Sequence, residues 1–139
     1  MIRCLLMCLM SLFVFTGCAS THVENREQPR ASVCPKDNPV LRHVVLFAFK
    51  GGTTPVQVKS VEDAFRSLPA KIKAICDFEW GTDVSPEGRA EGFTHCFFLT
   101  FSNEADRDAY LVHPDHKEFG EVLRPHLEKV LVVDYWSTR

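Results

Sequence analysis

The sequence lacks most of the patterns that usually mark a site of chemistry. It contains no Cys-x-x-Cys and no His-Glu-x-x-His, so neither a redox dithiol nor a paired-histidine zinc helix is written into it. Lysine and arginine nowhere cluster, and at a formal net charge of −2 the chain offers no electrostatic footprint for nucleic acid. No apolar run is long enough to cross a bilayer. Cysteine is less plentiful than the count of 6 suggests. Cys4, Cys8 and Cys18 fall in the first twenty residues and Cys34 in a polar stretch, which leaves Cys76 and Cys96 for a folded domain. For those two, a disulfide and a pair of buried free thiols both remain open.

What is present begins with a leader. Arg3 precedes the apolar run Cys4 to Phe15, which has the size of a secretory core segment and ends in Phe15-Thr16-Gly17-Cys18-Ala19-Ser20. Small residues before a cysteine at that point resemble the lipobox of bacterial lipoproteins. The resemblance implies cleavage after residue 17, a lipid on Cys18, and a place in the bacterial cell envelope on the periplasmic face of the outer membrane. Residues 18–40 are rich in Thr, Glu, Asn, Arg, Gln, Pro and Ser and have no apolar period, so they read as a flexible tether. A coil of that length holds a domain roughly 25 Å from its anchor. The folded domain is then 41–139.

Within it, the apolar pattern alternates between strand and helix. Leu41 to Lys50 puts His43, Val45, Phe47 and Phe49 on one face and Val44, Leu46 and Ala48 on the other, the pattern of a central strand. Thr54-Pro55-Val56-Gln57 is a helix start in capping-box spacing; Val58, Val61, Phe65 and Leu68 make its stripe, and Pro69 is expected to end it. Strands are expected over Asp77–Val84 and Phe93–Phe101, joined by the Ser85-Pro86-Glu87-Gly88 turn. A helix capped by Ser102 runs to Val112, and Pro114 opens another, with Phe119, Val122, Leu123 and Leu127 buried and Pro125 kinking it. Val130–Tyr135 is a last strand, apolar enough for burial on both faces. The order β-α-β-β-α-β describes an α+β ferredoxin-like sandwich. Its helices cover one side of the sheet only, so strands apolar on both sides call for a second copy: a homodimer.

The densest chemistry lies in Tyr110-Leu111-Val112-His113-Pro114-Asp115-His116. Proline disfavours helix at His113 and suits the first position of the next helix, so a corner forms here. His116 then falls in a first helical turn, where the positive dipole end favours a neutral imidazole able to accept a proton. Tyr110 can bring a phenol beside it. His113 is explained as a helix cap. Pro114 also spoils His113 and His116 as a shared-face metal pair, and no metal is expected. Cys96 and His95 are adjacent in a strand and point to opposite faces, so they are no nucleophile–base pair.

Arg42-His43 opening the first strand, Gly92-Phe93-Thr94-His95 opening the third, the Tyr110–His116 corner and the closing Val132-Val133-Asp134-Tyr135 are together similar to the Dabb family of stress-responsive dimeric α/β-barrel proteins, over residues 41–137. The resemblance implies His116 as general base with His43 and Tyr110 around a substrate carbonyl. It places His95 in the same pocket, lined further by Phe47, Phe65 and Leu127, with no cofactor. A member of the family that closes a polyketide chain by aldol condensation has a tyrosine where this chain has Phe65 and a tryptophan where it has Leu127. The substrate-shaping wall therefore differs. Polyketide thioesters are made in the cytoplasm, which an exported protein would not meet. Two functions stay open: a stress-protection module that binds a small apolar or aromatic ligand, and a cofactor-independent acid–base enzyme.

Overall fold

A computed structural model of the protein describes Cys34 and residues 39–138. The expected leader, the acylated Cys18 and nearly all of the tether lie outside the described residues. Among those described, no helix is long and apolar enough to cross a membrane. The elements are β1 (Leu41–Phe49), α1 (Pro55–Lys71), β2 (Asp77–Thr82), β3 (His95–Phe101), α2 (Glu104–Val112), α3 (Pro114–Leu123) and β4 (Leu127–Trp136). The four strands form one sheet in the order β2-β3-β1-β4, with every neighbouring pair antiparallel. This is the ferredoxin-like α+β arrangement, its second helical segment broken in two at the Pro114 corner.

Alternation along β1 sets the layers. Leu41, His43, Val45 and Phe47 are buried under the helices, while Arg42, Val44 and Leu46 are half-buried on the other side. Opposite them on β3, His95, Phe97, Leu99 and Phe101 are buried on the helix side. α1 lays Val61, Phe65 and Leu68 onto this face, and the Phe65 ring stacks on Phe97 with centroids 4.1 Å apart. Burying each such side chain contributes about 1.5–3 kcal/mol, so this aromatic cluster anchors the domain.

Several boundaries differ from the sequence expectation. Thr54 and Gln57 do form the reciprocal capping box of α1, but Pro69 sits inside the helix, which runs on to Lys71. Ile72, buried in the core and donating its N–H to the Leu68 carbonyl at 2.8 Å, holds that last turn against the proline's cost of about 3 kcal/mol. β2 ends at Thr82 and β3 begins at His95, because pairing stops just beyond the Asp83–Thr94 backbone bond. Asn103, not Ser102, caps α2, its side chain accepting from the Asp106 N–H at 2.9 Å. Pro125 does not kink α3: the helix stops at Leu123, and Leu127 opens β4 instead of extending the helical stripe.

Two further corrections matter more. β4 is an edge strand paired only with β1, and in the single chain Val130 to Val133 are 44–51% exposed, not covered on both faces. Cys76 pairs with neither a proton nor Cys96 but with Cys34, closing a disulfide across 42 residues. Cys96 stays a free thiol whose pKa is raised, first by burial and then by Glu79, which disfavours the thiolate.

Candidate functional site

Between the helix side of the sheet and α2–α3 lies a cavity of about 650 Å³, well within the range of small-molecule sites. Its floor is His43, Val45 and Phe47 of β1 with Asp134, Val132 and Val130 of β4, which the strand register sets directly opposite one another. Its roof is Phe65, Tyr110, Leu111, His116, Phe119 and Leu123, and Leu127 closes one side. Lys117 and Glu121 of α3 and Arg124 at its C-cap complete the lining.

The Pro114 corner arranges the polar end. His113 ends α2 and caps α3, its ring accepting from the Asp115 N–H at 3.2 Å, which is a structural use. The turn it makes carries His116 back over Tyr110, with ring centroids 4.2 Å apart. His116 Nδ1 lies 3.3 Å from the Leu111 carbonyl oxygen, which can only accept. Nδ1 therefore carries the proton and Nε2 keeps its lone pair. Burial lowers the His116 pKa from 6.5, outweighing the Leu111 carbonyl, and the nearby His43 and His113 lower it further. The ring is neutral at pH 7 and ready to accept a proton.

Tyr110 is the opposite case. It is 1% exposed, and burial alone pushes its phenol well above the usual value of 10.0, so it keeps its proton. His43 stands 5.7 Å from the Tyr110 ring and donates Nδ1–H to Asp134 Oδ1 at 2.6 Å. The other oxygen of Asp134 accepts from Arg107 Nη1 at 2.5 Å. Desolvation works to raise the Asp134 pKa, but the hydrogen bonds from His43 and Arg107 overcome it and hold the carboxyl below its ordinary value. Among the described residues, the Tyr110 hydroxyl, His43 Nε2 and His116 Nε2 make no hydrogen bond, and none is sealed away from the cavity. One settled donor and two nitrogens thus face the same hollow.

The structure brings His43, Tyr110, His116, Phe47, Phe65 and Leu127 together around this cavity. It separates His95, which the sequence reading placed with them. His95 shares the sheet face but sits at the far end, its Nε2 3.0 Å from Glu62 Oε1 and its Nδ1 2.8 Å from Thr94 Oγ1, between Trp80 and Phe49. Both ring nitrogens are occupied, so it is not part of the lining. Asp134 and Arg107 were not singled out as site residues from sequence. A lone acid within the apolar run Val130–Tyr135 was the available signal for Asp134. Nothing in the local sequence marks Arg107. No group of three or more potential metal-ligating side chains occurs among the described residues.

A family model for the stress responsive A/B barrel domain, Dabb, matches residues 41–137. The chain belongs to the Dabb family. It is 37% identical to a stress-response A/B barrel domain-containing protein, HS1, of Arabidopsis thaliana, over 70% of this chain and 90% of that one. It is 34% identical to the olivetolic acid cyclase of Cannabis sativa, over 68% of this chain and 94% of the cyclase. Among solved structures it resembles a hydroxynitrile lyase from Passiflora edulis, with a TM-score of 0.67, 30% identity, and coverage of 71% and 94%. It also resembles a dimeric ferredoxin-like protein from Thermobifida fusca, with a TM-score of 0.62, 26% identity, and coverage of 71% and 92%.

Proposed function

We propose that this Dabb domain binds a small apolar or aromatic carbonyl compound in the His/Tyr-lined cavity and moves a proton on it without a cofactor. The observation that carries this is the division of protonation states around one hollow. Tyr110 is fixed as a donor, His116 as a neutral acceptor, and His43 is backed by a carboxylate. In the reaction, His116 Nε2 takes a proton from the carbon beside the carbonyl. The electron pair moves onto the oxygen, where the Tyr110 O–H hydrogen-bonds the developing enolate. Asp134 accepts the His43 Nδ1–H and so holds His43 Nε2 toward the substrate as an acceptor. The protonated His116 returns its proton at the end. A cyclase and a lyase among the chain's relatives are consistent with proton transfer on this scaffold.

The test does not require the natural substrate. Deuterium exchange beside the carbonyl of a small aryl ketone, followed by NMR in heavy water, reports abstraction directly. The wild type accelerates exchange, and His116→Ala loses about 10²–10⁴-fold while still binding the ketone. Binding without exchange in the wild type would instead support a pure ligand-binding module.

The working unit is a homodimer. On the side of the sheet away from the helices, Val44, Leu46, Phe98, Leu131, Val133 and Tyr135 are aligned by the strand register and remain half-buried or exposed in the single chain. Solved relatives that are dimeric support the same reading. Leu131→Glu is expected to halve the mass seen in sedimentation. The protein reaches the bacterial envelope through the leader 1–17 and a lipid on Cys18. The Cys34–Cys76 disulfide supports this, since such bonds persist in oxidising compartments. Mass spectrometry of Cys18 from membranes tests it: an unacylated cysteine would contradict the assignment.

A further inference from the structure

The charges around the cavity are compensated with one exception. Asp134 is shared by His43 and Arg107 at the polar end. Glu121 of α3 and Arg124 just past its end form a two-pronged pair at 2.7 and 2.9 Å, so their opposite charges offset each other at the rim. Lys117 lines the same cavity, is exposed, and forms no ion pair or side-chain hydrogen bond among the described residues. It follows His116 directly, so an unpaired cation stands beside the base, while Val45, Phe47, Phe65, Phe119 and Leu123 supply the apolar wall. Asp115, two residues before Lys117, is engaged elsewhere, 3.4 Å from Lys71 and 3.3 Å from His113.

From this we infer that the cavity selects amphiphilic monoanions, compounds whose carbonyl oxygen sits among Tyr110, His43 and His116, whose apolar body lies against the phenylalanines, and whose carboxylate is held by Lys117 at the mouth. This names the ligand class for the site proposed above and rests on that reading. A neutral ligand of the same shape would keep the carbonyl and apolar contacts but leave Lys117 unused. A dianion would place its second charge against the apolar lining, where nothing offsets desolvation. Because Lys117 is exposed, its attraction is screened by salt and its contribution is to selectivity more than to total affinity.

Isothermal titration calorimetry with 4-oxo-4-phenylbutyrate, an aryl keto acid, and with its primary amide separates the contributions. The acid is expected to bind the wild type about tenfold more tightly than the amide at low ionic strength. Lys117→Gln should remove that preference while leaving the amide's affinity within about twofold, and Lys117→Arg should restore most of it. Raising the salt to about 0.5 M should narrow the gap in the wild type alone. Equal binding of acid and amide by the wild type, with both displaced by an apolar ketone, would overturn the role of Lys117 and leave the cavity's function standing. Failure of acid, amide and ketone alike to bind would overturn both.

Discussion

Two buried histidines, each paired with a carboxylate, occupy the same face of the sheet and differ in what remains free. At one end, His95 uses both ring nitrogens, one on Glu62 and one on Thr94, and is closed in by Trp80 and Phe49. At the other, His43 gives one nitrogen to Asp134 and keeps the second toward a cavity shared with Tyr110 and His116. Residue type, burial and an acidic partner are common to both, so none of these identifies a site. What distinguishes them is an unspent hydrogen-bonding atom beside open volume. A histidine with both nitrogens satisfied is cross-bracing for the fold, whereas one with a free nitrogen in a hollow can act on a ligand.

Substitution at the two ends breaks the comparison most sharply. His116→Ala is expected to remove 10²–10⁴-fold of proton exchange with little change in thermal stability, because its ring is only partly buried. His95→Ala should do the reverse. It leaves Glu62 without its buried partner and costs about 2–3 kcal/mol in denaturant unfolding, with exchange per folded molecule unchanged. Asp134→Asn weakens a charge-assisted hydrogen bond of about 1.5–3 kcal/mol and should slow exchange roughly ten- to hundredfold. Among the described residues, the guanidinium of its partner Arg107 pairs with Asp134 and Asp108 alone. Arg107→Leu is therefore expected to slow exchange only a few-fold and to spare ligand binding.

The smallest effect is one of pH. His116 has its pKa lowered in the fold, so the unfolded chain takes up a proton first as the solution is acidified. Its contribution to stability is complete above 6.5 and is lost as pH falls below that value through the folded pKa. Unfolding free energy measured from pH 7.5 to 5 should decline, and His116→Gln should flatten that part of the curve. A decline of equal slope in the variant would assign it to other groups.

The fold was legible because its signals are local. Two-residue alternation in Leu41–Phe49 and His95–Phe101, the Thr54–Gln57 capping box and the Pro114 corner each encode their own geometry. The errors arose where tertiary burial overruled local propensity, as with Ile72 carrying α1 past Pro69. They also arose where the partner lies far off in sequence. Cys34 finds Cys76 across 42 residues, and the Arg107–Asp134 contact depends on how α2 sits over β4. His95 was misplaced for a related reason. Sheet parity put it on the correct face, but position along the strand separates the cavity from its closed counterpart, and periodicity does not report that.

At pH 7 the His116 ring is neutral, with its proton on Nδ1 and Nε2 free for a ligand. Long-range ¹H–¹⁵N NMR of the histidine rings tests it directly. A protonated Nδ1 and an unprotonated Nε2 are expected for His116, with Nε2 shifting when an aryl keto acid binds and the His95 signals unmoved. A His116 ring carrying protons on both nitrogens at pH 7, or a ligand-induced shift at His95 in its place, would contradict it.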